Sequence, residues 1–214
     1  MEPKSIELKS IIRRENLMDI AIELDYKTGA EIGVLNGDFA GIVTSKWTGK
    51  WILVDPWKHF DQGYIDPSNF SDEEHENRYQ AVLNKLSGRN INVIRKESVE
   101  ASKDLTDGCL DFVYIDANHS YKAVTDDLEA WWPKVAIGGI ISGHDYMDRI
   151  RPKKRAYNCL VRSAVNDFIQ RKQLQLPYLT QPTCCPSWVL VKPRTADDVK
   201  SGWVNFARPI ERTI

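Results

Sequence analysis

What most constrains this chain is a repeated order: a short apolar run, a polar or glycine end, then a segment of helical period. Gly29 to Val34 reads as a first strand, followed by Gly37. Trp51 to Asp55 is apolar up to its final carboxylate, the pattern of a strand buried on both faces. Ile91 to Arg95 is a third run, and Leu110 to Asp116 a fourth that again closes on a carboxylate. Gly138 to Ser142 is a fifth, just ahead of His144 and Asp145. Leu176 to Thr180 is a weaker sixth, and Trp188 to Val191 a clear last one. Between these runs, Tyr79, Val82, Leu83 and Leu86 recur at helical spacing, which predicts a helix over Asn77 to Leu86. Lys122 to Trp132 is another, stopped by Pro133, and Cys159 to Arg171 a third. Leu8, Ile11, Ile12, Ile20, Ala21 and Leu24 predict one or two helices ahead of the first strand. Such alternation predicts an α/β fold: a doubly wound, mostly parallel sheet with helices on both faces.

Length and charge narrow the uses of such a sheet. The 214 residues suit one domain of this kind, expected over 28–193, with a helical segment over 1–27 and a tail over 194–214. The tail would serve as an arm for homo-oligomer contacts. A net charge of −1 lacks the basic bias of nucleic-acid binders. No stretch approaches the roughly 20 apolar residues of a membrane span. The opening MEPKSIELKS lacks the apolar segment of a secretory signal. Cys109, Cys159, Cys184 and Cys185 form no C-x-x-C pair, so structural thiols in a cytoplasmic protein are expected. Two stretches exceed a minimal α/β unit. Trp57 to Glu76 is long, polar and aromatic; Tyr146 to Asn158 carries Arg149, Arg151, Lys153, Lys154 and Arg155. Both read either as solvated surface loops or as lids that shape an acceptor pocket. The cations would suit an acceptor bearing a carboxylate or phosphate.

Ligands of doubly wound sheets bind outside the carboxyl ends of the strands. Glu31-Ile-Gly33-Val-Leu-Asn-Gly37 stands at the first such end, where glycines permit a tight turn and close backbone approach. The run lacks G-x-G-x-x-G, which counts against a nicotinamide-binding oxidoreductase, the alternative on a similar sheet. Glu31 itself disfavours a pyrophosphate and suits a cationic amino-acid group. Asp55 follows Gly33 by 22 residues, a spacing at which a carboxylate meets ribose hydroxyls.

Asp116, His119, His144 and Asp145 converge from the fourth and fifth strand ends. Histidine is the best general base near neutral pH, so His119 or His144 would take an acceptor's proton. Two carboxylates and a histidine would also hold a divalent cation. Asp116 and Asp145 in one cleft would repel, so something cationic is expected between them: a metal, a protonated His144 or a substrate amine. His59 and His75 read as surface residues, Trp131 and Trp132 as packing residues, and Cys184-Cys185 as inert.

Thr28-Gly-Ala-Glu-Ile-Gly-Val-Leu-Asn-Gly37 resembles motif I of the class I S-adenosylmethionine-dependent methyltransferases. Phe112-Val-Tyr-Ile-Asp-Ala-Asn-His-Ser-Tyr121, with Asp126, Asp127, Leu128 and Trp132 beyond it, resembles one subgroup. So does Gly138-Gly-Ile-Ile-Ser-Gly-His-Asp-Tyr146. That subgroup is the small stand-alone enzymes related to macrocin-type O-methyltransferases, and the resemblance covers about residues 28–192. It implies a Rossmann-like seven-stranded sheet with an antiparallel last strand. It implies S-adenosylmethionine as cofactor: Glu31, Gly33 and Gly37 at the methionine end, Asp55 on the ribose, Ser98 near the adenine, and Asp116 beside the reacting centre. It implies methyl transfer to a small-molecule hydroxyl, with N-methylation as the alternative. The relatives' magnesium site corresponds to Asp116 and Asp145, but His144 stands where a carboxylate is common and invites manganese or zinc instead. Ala40 stands where a serine is common.

Overall fold

The computed structural model describes residues 13–62, 64–150, 158–175, 177–180 and 185–194. A 3-10 turn at Arg14–Asn16 leads into α1 (Leu17–Glu23), β1 (Thr28–Ile32), α2 (Asp38–Lys46) and β2 (Lys50–Val54). Then come α3 (Asp72–Lys85), β3 (Ile91–Ile94), α4 (Ser98–Ser102), β4 (Leu110–Ile115), α5 (Tyr121–Trp131) and β5 (Val135–Gly143). A two-stranded ribbon, β6 (Asp148–Arg149) with β7 (Cys159–Leu160), precedes α6 (Val161–Lys172), β8 (Tyr178–Leu179) and β9 (Trp188–Val191). Seven strands form one sheet in the order β3-β2-β1-β4-β5-β9-β8. β3, β2, β1, β4 and β5 pair in parallel, and β9 runs antiparallel to β5 and β8. This is the doubly wound sheet with an antiparallel last strand that the motifs imply.

The apolar runs are continuous because both faces are covered. Along β4, Phe112 and Tyr114 join a core with Leu17, Phe39, Trp51 and Val82, from α1, α2, β2 and α3. Val113 and Ile115 point to the other core, with Ala101, Leu128, Trp131 and Phe168 from α4, α5 and α6. α1 buries Leu17, Met18, Ile20 and Ala21 in the first core, so it is built into the domain. Among the described residues, no helix is long and apolar enough to cross a membrane.

Several elements differ from the sequence expectation: α4 and the β6–β7 ribbon have no counterpart in it, and β7 takes Cys159 and Leu160 from the expected helix. α2 lacks a wide apolar stripe: it buries only Phe39, Ala40, Val43 and Thr44. α3 begins at Asp72 rather than Asn77, because Ser71 and Glu74 form a reciprocal capping box. β5 begins at Val135, and its register against β4 shifts between Leu110 and Phe112. The expected helical positions Leu8, Ile11 and Ile12 lie outside the described residues, as do Arg151, Lys153, Lys154, Arg155, Leu176, Cys184 and everything past Arg194.

Parallel register sets the site. Ile32 pairs with Val54 and Ile115, Val54 with Ile94, and Ile115 with Gly143. Gly33, Asp55, Asp116 and His144 therefore all follow their strands at one edge.

Candidate active site

A cavity of about 1200 Å³ opens at that edge. Glu31, Gly33, Asp55, Ser98, Asp116 and His119 line it; Gly37, His144 and Asp145 do not. Gly33 has φ +87°, and a Cβ there would lie 2.2 Å from the Asp116 carbonyl oxygen. Only glycine lets β1 turn this close to the end of β4. Gly37, with φ +65°, starts α2 behind the lining, where a Cβ would press on Val82 at 3.2 Å. Its place is in the turn.

Asp55 does more than face the cavity. Its Oδ2 accepts from the backbone N–H groups of Val34 (2.9 Å) and Leu35 (3.0 Å), and Oδ1 from that of Trp57 (2.7 Å). The carboxylate thus holds the β1–α2 loop and the start of the next connection together. Trp57 returns a hydrogen bond from Nε1 to the Leu35 carbonyl at 3.0 Å.

Glu31 is 2% exposed and accepts from Trp51 Nε1 at 3.1 Å. Burial pushes its carboxyl up to about 8, despite the lowering hydrogen bond from Trp51. A positive group beside it would restore the charge. An amino-acid ammonium fits this position, so the residues present fit the methionine end of S-adenosylmethionine. At the opposite side of the cavity, Ser98 donates to Asp127 Oδ1 and accepts from Trp131 Nε1 at 2.8 Å. Asp127 is buried, and burial pushes it up to about 7 against the hydrogen bond from Ser98.

The reaction end is organised around His119. Its Nε2 lies 3.4 Å from Asp116 Oδ1 and 3.2 Å from Asp145 Oδ2; its Nδ1 lies 3.5 Å from Asp66 Oδ2. Burial opposes the imidazolium, but bonding to Asp116 and Asp66 and the charges of Asp116 and Asp145 outweigh it, raising His119 to about 10. Burial would raise Asp145, yet His144, by hydrogen bond and charge, and the His119 charge hold it at about 2. His144 Nδ1 lies 3.2 Å from Asp145 Oδ1 and 3.8 Å from Asp116 Oδ2, outside the cavity lining.

These contacts revise the expected roles. The cation between Asp116 and Asp145 is the His119 ring, which was not among the expected candidates. Raised to about 10, the ring favours its protonated form near neutral pH. Among the described residues, no group of three or more His, Cys, Asp or Glu is placed to hold a metal ion. His119 takes the space between the carboxylates that magnesium or manganese would need, so the set Asp116, Asp145 and His144 does not fit a metal in this arrangement.

Sequence reasoning missed Arg14, Tyr64, Asp66, His75 and Asp127 at the cavity. His75, expected on the surface, is buried on α3 with neither ring nitrogen hydrogen-bonded. The Ser71 capping box was the available signal: it starts α3 early and turns His75 inward. Asp66 belongs to the long β2–α3 connection, which lies over the carboxyl edge and lines the cavity through Phe60, Tyr64 and Asp66. Arg149, the described cation of the second long stretch, is exposed and does not line the cavity. His59 is exposed, and Trp131 is fully buried as a packing residue.

A doubly wound sheet with this strand order, a glycine turn under a buried carboxyl and a carboxylate on the next strand end define the class. It is that of the class I S-adenosylmethionine-dependent methyltransferases. The match to the family described as "Methyltransferase domain" spans residues 30–146, and the chain belongs to that family. Two curated proteins are similar to it. The Uncharacterized protein y4gI of Sinorhizobium fredii is 30% identical over 92 residues, 43% of this chain and 10% of that protein. The Uncharacterized protein R132 of Acanthamoeba polyphaga mimivirus is 25% identical over 138 residues, 63% of this chain and 58% of that protein. The chain thus spans less than two thirds of either relative's length. Among solved structures, the fold resembles the O-methyltransferase TomG of Streptomyces achromogenes, involved in tomaymycin synthesis and solved with S-adenosylmethionine. That match has a TM-score of 0.55 and 12% identity, covering 83% of this chain and 78% of that one.

Proposed function

We propose that this protein transfers the methyl group of S-adenosylmethionine to a hydroxyl of a small-molecule acceptor. The observation that carries the reading is the placement of Asp116. It lines the cavity near buried Glu31 on one side and is held by His119 on the other. When bound, S-adenosylmethionine supplies an electrophilic methyl group on a sulfonium. Glu31 receives its ammonium, and Asp55 keeps the loop under it in place. Asp116 would orient the acceptor's O–H and take its proton as the C–O bond forms and the methyl C–S bond breaks, with S-adenosylhomocysteine as the leaving group. A weak base suffices, because an oxygen gaining a methyl group becomes strongly acidic. His119, with Asp145 and Asp66 behind it, fixes the position of the Asp116 carboxylate. The TomG likeness supports O-methylation. Among the described residues, carboxylates outnumber Lys and Arg along the cavity, and an amine acceptor is kept as a second reading.

Calorimetric titration tests the cofactor. S-adenosylmethionine and S-adenosylhomocysteine should bind and NAD should not; no binding of either sulfur compound at millimolar concentration would overturn the reading. Transfer of labelled methyl to panels of phenols, sugars and amines then tests the acceptor. Because Asp116 and His119 do the work here, turnover should survive thorough chelation; loss restored by magnesium or manganese would refute that assignment.

A further inference from the structure

Resting on the cofactor reading above, we infer that Arg14 binds the carboxylate of the cofactor's amino-acid end. That group carries two charges. Glu31 answers the ammonium, so a neighbouring cation must answer the carboxylate. Among the described residues, four Lys and Arg side chains line the cavity: Arg14, Lys58, Arg95 and Lys96. Three have short carboxylate partners of their own: Lys58 with Glu97 (2.5 Å), Arg95 with Glu76 (2.7 Å) and Lys96 with Asp104 (2.6 Å). Arg14 has only longer ones, Glu15 at 3.7 Å and Asp116 at 3.6 Å, beside a hydrogen bond with the neutral Tyr114 hydroxyl. Charge-assisted bonds of this kind usually close to about 2.7–2.9 Å.

Arg14 is also at the correct end. Its guanidinium stands 5.7 Å from the centre of the Phe39 ring, which stacks on Tyr114 at 4.2 Å. Its charge acts on Glu31, Tyr114 and Asp116. The 3-10 turn that carries it runs directly into α1, whose Leu17, Met18, Ile20 and Ala21 are buried in the core. The fork is therefore presented by a packed element, and a planar guanidinium matches a carboxylate with two parallel N–H donors. A bound carboxylate would compete with Asp116 for Arg14, which leaves Asp116 to His119 and the acceptor.

The test compares three ligands by calorimetry: S-adenosylhomocysteine, decarboxylated S-adenosylmethionine and 5′-methylthioadenosine, which lacks the whole amino-acid end. Arg14→Gln should weaken S-adenosylhomocysteine about 10–100-fold, the cost of losing hydrogen bonds to a charged group. Its affinity for the other two should stay as in the wild type. Arg14→Lys should recover part of the loss, since a point charge lacks the fork. Equal S-adenosylhomocysteine affinity in wild type and Arg14→Gln would overturn the inference. So would an equal loss for 5′-methylthioadenosine, which would make Arg14 a support of the pocket as a whole. If the wild type binds none of the three, the cofactor reading itself fails, and the inference with it.

Discussion

The carboxyls at and beside the cavity are held in two opposite ways. At the methionine end Glu31 has only a neutral indole as hydrogen-bond donor, and burial pushes it up to about 8. At the reaction end Asp145 is held at about 2, and Asp66 is lowered because bonds from His119 and Ser68 outweigh its burial. Glu31 is buried while Asp145 and Asp66 are half-buried, so depth contributes to the difference. The counter-ion adds to it. A carboxyl in dry surroundings keeps its proton unless a cation stands within bonding distance. One end of the cavity is thus prepared for an incoming positive charge, and the other already contains one. Asp127, with Ser98 as its neutral donor, belongs with Glu31.

Removing the cation should break this contrast with the largest effect. His119→Gln removes the cation that Asp66, Asp116 and Asp145 share and leaves them the more peripheral His144 and Arg14. Urea unfolding near pH 6 should show a loss of about 3–5 kcal/mol, as for breaking a buried pair, and kcat should fall about 100-fold. The pH dependence has a definite sign. His119 is raised from 6.5 to about 10, so its contribution is complete below about 6.5 and lost as pH rises through about 10. Asp145 is lowered from 3.8 to about 2, so its contribution is complete above about 3.8 and lost as pH falls through about 2. The gap between wild type and variant should be widest from about pH 4 to 6.5. A flat difference across that range and beyond would mean the cluster is not ion-paired.

Asp55→Ala tests a third way of holding a carboxylate, by three backbone N–H groups. Leaving those of Val34, Leu35 and Trp57 unpaired should cost about 2–3 kcal/mol of stability and about tenfold in cofactor affinity. Thermal unfolding and titration read the two losses separately.

Glu31→Gln sharpens the other end. Because Glu31 is raised from 4.5 to about 8, its stability contribution is present below about 4.5 and lost as pH rises through about 8. Without cofactor, the variant should therefore be the more stable protein at pH 9. It should bind S-adenosylmethionine about tenfold more weakly at pH 8, where a charge pair has been removed. Wild-type affinity should climb between pH 6 and 8, by up to about tenfold per unit, as Glu31 gives up its proton. The smallest effect is expected for Asp127→Asn. Asp127 is raised to about 7, so at pH 6 the change replaces one neutral group by another and should move stability by less than about 1 kcal/mol. At pH 9, where the wild type must ionise a buried group, the variant should be the more stable.

Much of the framework is legible in the order of residues alone. Strand-length apolar runs closing on Gly33, Asp55 and Asp116 identify parallel strands and their functional ends, because burial on both faces leaves only the ends available for polar groups. The same order does not reveal α2, whose stripe is short, or the early start of α3, where the capping box sits inside a stretch that reads as a loop. The sheet, its strand ends and the carboxyl at Glu31 are local facts: each follows from residues a few positions apart. The rest depends on distances between residues far apart in the chain. Asp66 meets His119 across the fold, Arg14 reaches Asp116, and Gly33 touches the Asp116 backbone. Whether His119 is a base or a bridging cation is set by how many carboxylates stand near it and how little water remains. Sequence supplied the charged groups; only packing chose their partners, because the electrostatic energy of a group depends on distance and burial and not on its place in the chain.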